Sequence, residues 1–401
     1  GMTVIVIDHH QIPSQGPAPA SAILNPFQAE CSYPFKGLSA AGLAFKLSQA
    51  LIGESAFELM DLAALSTICD VAPLLDENRI LVREGLQVLS QRKRPGMHAL
   101  IKISGIEGKE LTSRHLGFLL GPRINAAGRM NAPDIALRLL LTPFEKEARS
   151  LASVLDEENK ARQREERQVL KEAIIEVERT INFNRERVIV VGKEGWHEGV
   201  IGIVAQRLVD RFQRPSVVIA FDGTSGKGSC RSVKNFPFHH ALAACADHLQ
   251  SFGGHAQAAG LQIKLEKLAA FRAGINEFAM AQPDENFKKS HAVELDLRFS
   301  DVSAVFVKEL TLLDAHGAGN PKPLFRTQNL SVKRRPERLS PTKLKLTLSD
   351  GAATFDAHMP ADNPFDWDND NNLEAIYSLK IDTFQGMEFV VLDLKELKQQ
   401  S

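Results

Sequence analysis

Residues 4–10 read Val-Ile-Val-Ile-Asp-His-His, a short apolar run that ends in one carboxylate and two imidazoles. A continuous run of β-branched residues is typical of a strand buried on both faces of a parallel sheet. Ligands gather at the carboxyl ends of the strands in open α/β sheets. Asp8, His9 and His10 are therefore candidates for a metal or phosphate site, and a polar strand end with solvated histidines is the alternative.

A second carboxylate follows in residues 66–74, Ser-Thr-Ile-Cys-Asp-Val-Ala-Pro-Leu. Asp70 comes after an apolar pattern of helical period, where a helix-terminal or turn aspartate is common. Similar patterns predict further helices, so this part of the chain reads as an α/β domain. The predicted helices cover residues 38–52, 55–68, 78–91 and 133–141.

One long charged helix is predicted from residue 143 to about residue 181. Opposite charges at helical spacing favour an exposed helix that crosses between domains. A coiled-coil dimer is the alternative, but the apolar seam is broken around residues 156–168, which makes the crossing helix the better interpretation.

The pattern of predicted helices and strands changes twice after this helix. A strand over 187–192, a helix over 199–212 and a strand over 215–221 predict a second α/β domain. Residues 253–260, Gly-Gly-His-Ala-Gln-Ala-Ala-Gly, read as a tight turn into a helix of small residues. Short alternating strands then favour a small OB-like barrel. These strands are predicted over residues 292–298, 328–334, 343–348, 353–359, 375–381 and 388–394.

Composition narrows the functional classes. The net charge of −1 over 401 residues means that any nucleic-acid contact must come from a local basic surface. The four cysteines are far apart and form no Cys-x-x-Cys pair, which indicates reduced core thiols in a cytoplasmic protein rather than a zinc site or a disulfide framework. No apolar run is long enough to cross a bilayer, so we expect no membrane partner.

The order of these motifs resembles that of the DHH phosphoesterases, and within them the RecJ-type exonucleases. The strand ending in Asp-His-His and the later Asp70 resemble the third and fourth motifs of that family. Gly-Gly-His-x-x-Ala-Ala-Gly resembles the signature of the DHHA1 domain. Four further segments resemble RecJ-type sequences, and they are residues 121–131, 195–205, 227–232 and 317–325.

The resemblance implies a two-metal site. In that family two Mn²⁺ or Mg²⁺ ions bind a phosphate ester between them, and the corresponding ligands here are His9 and Asp70. Asp8 would orient a metal ligand without binding the ion itself, and His10 would lie near the scissile phosphate. Carboxylate and imidazole ligands suit Mn²⁺ and tolerate Mg²⁺.

The resemblance also implies substrate contacts. Ser229 and Arg231 would bind the 5′ phosphate of single-stranded DNA, with Cys230 in place of a glycine of the pattern. His255, with Gly253 and Gly254, would contact nucleotide or phosphate. Arg123 and Arg129 are candidates for DNA phosphate contacts, and capped turns with solvated arginines are their alternative. For the barrel, Phe325 and Phe355 are the nearest candidates for base stacking, and a solvated basic hairpin is the alternative. The charge would come from Lys333, Arg334, Arg335, Arg338, Lys343 and Lys345.

We therefore predict a 5′-to-3′ single-stranded-DNA-specific exonuclease of DNA repair and recombination. The alternatives are a DNA-binding remnant without catalysis and another DHH–DHHA1 phosphodiesterase such as an oligoribonuclease. The predicted domains are the C-terminal part of a DHH domain, a connecting helix, a DHHA1 domain and an OB-like domain, over residues 1–142, 143–185, 186–288 and 289–401.

The first two motifs of the family, which carry an Asp-x-Asp-x-Asp-Gly strand end and a further aspartate, are not matched within these 401 residues. Glu294 and Asp296 do not lie at matching positions. We therefore expect the chain to be catalytically incomplete and to bind Mn²⁺ weakly. We also expect the edge and face of the strand over residues 4–7 to be exposed, and therefore to pair with a second copy in a homodimer or another oligomer, or to make the chain poorly soluble.

Overall fold

The structure is a computed structural model, and it describes most of the chain in two compact units. The first unit comprises Gly1–Lys93, Ile106–Gly121 and His291–Ser401, and the second comprises Arg94–Gly105 and Pro122–Ser290. Arg129 and Phe384 are described by their backbone alone. The described residues are 1–13, 15–129, 133–233, 235–254, 257–287, 290–361 and 371–400.

The first unit begins with a parallel pair of short strands, β1 and β2, and continues into helices. Ser39 caps the first of these helices by accepting a hydrogen bond from the Gly42 N–H, and Gly53 follows its last residue with φ of +59°. A 3₁₀ stretch, Gly53–Leu59, joins it to the next helix. The elements are β1 (Ile5–Ile7), β2 (Ala22–Leu24), α1 (Ala40–Ile52), α2 (Met60–Cys69), α3 (Asp76–Ser90) and the single turn α5 (Ser113–His115).

The first strand is not buried on both faces, as its residue pattern alone would indicate, and its exposure agrees with the open edge and face expected for this chain. Ile5 is 61% exposed, and Val6 and Ile7 are half-buried. In the described part of the chain β1 pairs with β2 alone. Sequence reasoning missed β2 because it has only three residues and follows a stretch rich in glycine and proline, too short to show a period.

The second part of the first unit is a closed barrel. Strand β9 pairs with β10, and the order continues through β11, β13 and β12 back to β9. All these pairs are antiparallel except β11 with β13, and this confirms the OB-like fold. A short helix, α12 (Ala304–Glu309), was not predicted. The strands are β8 (Leu295–Asp296), β9 (Phe325–Ser340), β10 (Lys343–Ser349), β11 (Thr354–Pro360), β12 (Leu373–Phe384) and β13 (Met387–Gln399).

The second unit holds a helical group and a five-stranded sheet of order β3-β4-β5-β7-β6. Only the β3–β4 pair is parallel. The helices are α4 (Pro95–Ile103), α6 (Gly121–Arg129), α7 (Pro133–Leu141), α8 (Glu145–Thr180), α9 (Glu198–Phe212), α10 (Phe238–Ala244) and α11 (Leu268–Met280). The strands are β3 (Ile189–Glu194), β4 (Ser216–Asp222), β5 (Ser225–Arg231), β6 (Ser251–Gly254) and β7 (Ala258–Lys264).

The long helix α8 is not the exposed rod that its charge predicted. It lies wholly within the second unit and buries one face along its length. Where the apolar seam breaks, the buried side chains are polar and paired. Asp156 accepts hydrogen bonds from Arg123, and Arg162 donates to Glu166. Charge alone misled the prediction because buried ion pairs satisfy one another and need no solvent.

The glycine-rich motif over residues 253–260 does not lead into a helix, so that prediction was also wrong. Gly253 and Gly254 end β6, and the residues from Ala258 onward begin β7, which pairs antiparallel with β6. A Cβ atom on Gly254, whose φ is +136°, would lie 2.5 Å from the carbonyl oxygen of Ala258. Small residues are needed here because two backbones approach closely in a hairpin, which composition alone does not distinguish from tight helix packing.

The four cysteines agree in part with the expectation of core thiols. All four thiols are free, with Cys230 and Cys245 buried and Cys31 and Cys69 half-buried, so the expectation of four core thiols holds for two. Burial raises the pKa of the Cys230 thiol to about 12. Among the described residues, no helix combines the length and apolarity that a membrane crossing requires.

A pH-dependent contact fixes the start of α9 against α8. Glu172 accepts hydrogen bonds from the Trp196 indole N–H and from Lys193. The Trp196 bond, followed by those from Lys193 and Gln168, lowers the pKa of Glu172 from 4.5 to about 2. Because the folded pKa is depressed, the stabilisation is present above pH 4.5 and is lost as the pH falls towards 2.

We therefore expect the free energy of unfolding to fall more steeply between pH 5 and pH 3 in the parent chain than in Glu172→Gln. Urea titrations followed by tryptophan fluorescence measure this difference. Glu178→Gln, on the same helix but in a long 3.7 Å ion pair with Arg211, is the control and should follow the parent. Equal slopes for the parent and Glu172→Gln would contradict the prediction.

Candidate metal centre and nucleic-acid contacts

The Asp-His-His loop is shaped by its own carboxylate. Asp8 follows β1, and its backbone N–H donates to the Leu24 carbonyl on β2. Oδ1 of Asp8 accepts from the backbone N–H groups of His9 (2.8 Å) and His10 (3.2 Å), and it lies 2.7 Å from Nδ1 of His10. Asp8 therefore folds the loop and holds the His10 ring. Its role in orienting a metal ligand stays a prediction.

The hydrogen bond from the His10 imidazole is the main reason that the pKa of Asp8 is held below its ordinary value. The carboxylate therefore stays ionised at neutral pH and continues to accept these bonds. The His10 side chain is 75% exposed, whereas the His9 side chain is 20% exposed. Of the two imidazoles, His10 is the one open to a substrate from solvent.

Asn25 is a supporting residue that sequence reasoning missed. It is buried, it follows β2 directly, and its side-chain amide donates to the His10 carbonyl at 2.9 Å. Its side-chain oxygen accepts from the Phe27 N–H at 2.8 Å. The available signal was a polar residue directly after the short apolar run over residues 22–24. Asn25 thus holds the loop from the neighbouring strand.

Asp70 lies at the C-terminal end of α2. The Ala72 N–H donates to the Thr67 carbonyl and the Val71 N–H to the Ile68 carbonyl, a paired bonding pattern that closes the helix. This pattern places Val71 in the left-handed region with φ of +57°, which is costly for a β-branched residue. The turn directs the chain away from the helix directly after Asp70.

The structure brings His9 and Asp70 together from 61 positions apart in the sequence. Nδ1 of His9 lies 3.4 Å from Oδ2 of Asp70. This confirms the expected proximity, since a single ion cannot be shared beyond roughly 8 Å. Two ligands at right angles on an octahedral ion with bonds near 2.1 Å are about 3 Å apart. The pair therefore fits the ligand set of one divalent ion.

The same loop offers more donors. One ligand atom each from Asp8, His9 and His10 lie within 4.8 Å of one another. Oxygen and imidazole nitrogen donors in this combination suit Mn²⁺ and Mg²⁺. The metal roles of these residues stay predictions.

A second group of candidate residues lies on β5 in the other unit. Ser229 and Arg231 are two positions apart on the strand, so both side chains lie on the face that carries α9. Arg231 donates to the Ser229 hydroxyl at 3.1 Å and to the Cys230 carbonyl at 2.8 Å. Cys230 lies on the opposite face in the hydrophobic core, so its replacement of a glycine leaves the strand regular.

Gly202 brings α9 close to these two side chains. A Cβ atom at this position would lie 3.0 Å from Nη2 of Arg231 and 3.0 Å from Oγ of Ser229. His197 caps the same helix by accepting from the Gly199 N–H. A guanidinium and a hydroxyl beside the first turns of a helix make a suitable environment for a phosphate group.

The structure describes only some of the remaining residues that were predicted to contact substrate. The Arg123 side chain is 15% exposed, and its Nε lies 2.9 Å from Oδ1 of Asp156, so it is paired within the protein rather than solvated. Arg129 ends α6, and its side chain lies outside the described part. His255 also lies outside the described residues. Gly253 and Gly254 form the strand end before it.

The barrel carries the predicted basic residues on its outside but not the predicted aromatics. Lys333, Arg334, Arg335, Arg338 and Lys343 are exposed, and Lys345 pairs with Asp356. Phe325 is buried in the barrel core, and the half-buried Phe355 packs edge-on against Phe299 of that core, so the stacking prediction was wrong for Phe325 and is disfavoured for Phe355. Phe389 on β13, which was not among the predicted aromatics, is 45% exposed.

Comparison with known proteins places these features in a family. Models of three families match the chain: the DHH family, N-terminal domain over residues 1–67, the DHHA1 domain over residues 185–281 and the RecJ OB domain over residues 293–396. The single-stranded-DNA-specific exonuclease RecJ of Salmonella typhimurium is 33% identical over 416 residues, which covers 96% of this chain and 71% of that protein. The chain belongs to the RecJ family.

RecJ of Bacillus subtilis is 39% identical over 360 residues, which covers 89% of this chain and 45% of that protein. The crystal structure of RecJ from Thermus thermophilus in complex with Mn²⁺ superposes with a TM-score of 0.85 at 30% identity, covering all of this chain and 59% of that one. A second structure of the same protein contains Mg²⁺ and gives a TM-score of 0.82. The chain thus spans about half the length of the B. subtilis relative and about three fifths of the T. thermophilus one.

Proposed function

We propose that this chain forms part of an enzyme that removes mononucleotides from the 5′ end of single-stranded DNA, in repair and recombination. The observation that carries the proposal is the 3.4 Å distance between His9 and Asp70 beside a substrate-accessible His10. Membership of the RecJ family, whose members are metal-dependent exonucleases, supports the same reaction. Mn²⁺ or Mg²⁺ is the cofactor we propose, in agreement with the T. thermophilus structures.

His9 and Asp70 would hold a metal ion, which when bound supplies activation of water and neutralisation of the phosphodiester oxygens. The protein's own contribution is orientation. Asp8 keeps the loop folded and fixes the ring of His10 through Nδ1. In its imidazolium form, in which both ring nitrogens are donors, His10 is placed to donate a hydrogen bond from Nε2 to a phosphate oxygen while Nδ1 stays bonded to Asp8. Asn25 keeps the loop in place from β2.

We propose that Ser229 and Arg231 bind the terminal 5′ phosphate. Arginine suits a phosphate because its planar group donates two parallel hydrogen bonds. The existing bond from Arg231 to Ser229 preorders both side chains, so little freedom is lost when the anion binds. The Gly253–Gly254 strand end and His255 stay predictions for nucleotide contact, as do Arg123 and Arg129 for the DNA backbone.

This proposal predicts a preference for phosphorylated ends. The chain should bind 5′-phosphorylated single-stranded DNA more tightly than 5′-hydroxyl DNA or duplex. Arg231→Ala should reduce the phosphate preference by about 10- to 100-fold, the scale of one charge-assisted contact worth about 1.5–3 kcal/mol. Fluorescence anisotropy with labelled oligonucleotides at fixed salt measures the ratio of the two dissociation constants.

Arg211→Ala is the matched control for this measurement. Arg211 is an exposed arginine in the last turn of α9, paired with Glu178, and its loss changes the net charge by the same amount. It should leave the ratio unchanged. If the parent chain binds both kinds of end equally, the 5′-phosphate assignment is wrong.

We also propose that these 401 residues are catalytically incomplete by themselves. His9 and Asp70 supply too few carboxylates to neutralise two divalent ions. Single-stranded-DNA binding without hydrolysis is therefore the second candidate for the isolated chain, and the exposed basic residues of the barrel favour it. The predicted domain boundaries and a homodimer through β1 likewise stay proposals.

A further inference from the structure

The segment that leads into the barrel, residues 312–319, lies against the chain that follows Asp70. Arg79 on α3 donates through Nε to the Asp314 carbonyl at 3.1 Å and through Nη2 to the Leu312 carbonyl. These partners are 235 and 233 positions away in the sequence. The guanidinium of Arg79 thus binds two backbone carbonyls of the segment.

The same segment bonds to the backbone close to Asp70. The Leu74 N–H donates to the Ala318 carbonyl at 2.6 Å. A Cβ atom on Gly317 would lie 2.8 Å from the Leu74 side chain, and one on Gly319, whose φ is +74°, would lie 3.3 Å from Pro73 and Leu75. The two glycines therefore allow a contact that larger residues would prevent.

The segment is itself held on its other sides. Asn320 donates to the carbonyls of Leu313 (2.9 Å) and Ala315 (2.7 Å), which keeps the segment folded. The Ser113 hydroxyl donates to the His316 carbonyl at 2.7 Å. The 312–319 segment is therefore a fixed surface rather than a loose linker, and it can fix what it touches.

The chain between Asp70 and Leu74 needs such a support. Val71 has a left-handed backbone that a valine adopts only when its surroundings impose it. Only Val71, Ala72 and Pro73 separate Asp70 from the bonded Leu74 N–H. The position of Leu74 therefore bears on that of the Asp70 carboxylate, together with the helix-closing bonds of Val71 and Ala72 and the bond from the Asn78 amide to the Pro73 carbonyl.

We propose that the 312–319 segment positions Asp70 for metal binding, with Arg79 as the positioning residue that clamps the segment to α3. This inference rests on the proposed function, because it gives Asp70 the role of a metal ligand. It also gives the barrel a task besides DNA binding, since the polypeptide that enters the barrel supports the metal site. Supporting residues behind metal ligands typically change metal affinity by about 10- to 100-fold.

The test uses Arg79→Ala, Arg79→Lys and the control Arg83→Ala in the full 401-residue chain. Arg83 lies one turn further along α3, is 60% exposed and pairs with the adjacent Glu84. Two quantities are measured: hydrogen exchange of the peptide that contains Leu74, and Mn²⁺ affinity by electron paramagnetic resonance, with Asp70→Asn defining the Asp70-dependent part.

In Arg79→Ala we expect the Leu74 peptide to exchange at least tenfold faster and the Asp70-dependent Mn²⁺ affinity to fall about tenfold. Arg79→Lys, which keeps one donor, should recover part of both, and Arg83→Ala should match the parent. Unchanged exchange, or faster exchange with unchanged Mn²⁺ affinity, would overturn the positioning role and leave the proposed function intact. Absence of Asp70-dependent Mn²⁺ binding in the parent would overturn both.

Discussion

Replacing Asp70 with alanine should lower the exonuclease kcat by about a thousandfold or more in a protein that carries these residues behind the upstream carboxylate motifs of the family. The expectation follows from the proposed role of Asp70 as a metal ligand, which its 3.4 Å distance from His9 supports. Losing a ligand that fixes an ion removes several kcal/mol of transition-state stabilisation, and about 4 kcal/mol corresponds to a thousandfold. Release of mononucleotides from 5′-phosphorylated single-stranded DNA in Mn²⁺ measures the effect.

The same assay applied to the 401 residues by themselves should detect little or no release, because His9 and Asp70 alone do not neutralise two divalent ions. Asp61→Ala is unsuitable as a control because Asp61 is buried in α2. Asp134→Ala, at an exposed position in the first turn of α7, is the better carboxylate control and should keep full activity in the longer protein. Robust release by the 401 residues, abolished by Asp70→Ala, would show that the site is completed by residues that we have not identified.

Replacing Gly85 with alanine should destabilise the protein by about 3 kcal/mol. Gly85 is buried on α3 where this helix crosses α2. An added Cβ would lie 2.4 Å from the Met60 carbonyl oxygen and 2.5 Å from the Ala64 Cβ. The backbone carbonyl cannot move without displacing α2, and overpacking of this kind typically costs about 1–3 kcal/mol, occasionally more. Chemical denaturation monitored by circular dichroism measures the loss.

Gly128→Ala is the matched control, since Gly128 is also a glycine within a helix but an added Cβ there meets no atom of the described residues within 4 Å. Alanine at this position should be neutral or stabilising by up to about 1 kcal/mol, because glycine lowers helix propensity. Adding Ala64→Gly to Gly85→Ala should restore only part of the stability, because the clash with the Met60 carbonyl remains. Equal stability of Gly85→Ala and the parent would show that α2 and α3 separate more easily than the packing indicates.

Local sequence determined the elements and the order of the chemistry. Hydrophobic periodicity predicted α1, α3, α7, α9 and the barrel strands because period and chain direction are properties of neighbouring residues. The run over residues 4–10 predicted that Asp8, His9 and His10 follow a strand, and they do. The order of the motifs along the chain predicted the family, because each motif is a local pattern that can be read without knowing the tertiary contacts.

Where a local sequence pattern was compatible with two structures, the tertiary contacts determined which of the two formed. Residues 253–260 are small enough for a helix or a hairpin, and pairing with β5 through β7 selects the hairpin. The charged residues in the middle of α8 predicted a solvent-exposed segment. Asp156 and Arg162 are nevertheless buried, because Arg123 and Glu166 are positioned to pair with them. Partners of this kind lie on other turns or other elements, so the charge pattern by itself cannot reveal them.

The candidate metal centre, too, could be predicted from the sequence only in part. The residue types of the pair, His9 and Asp70, could be read from the sequence with the help of the family resemblance, but their 3.4 Å separation depends on how α2 ends beside β1. Residues 317–325 matched a family segment, but the contact of Arg79 with residues 312–319 carried no signal, because a contact between positions 235 apart leaves no trace in local periodicity. The sequence by itself determined which chemical groups this protein carries and in which elements, whereas only the tertiary structure decided which of them meet, because meeting depends on long-range packing.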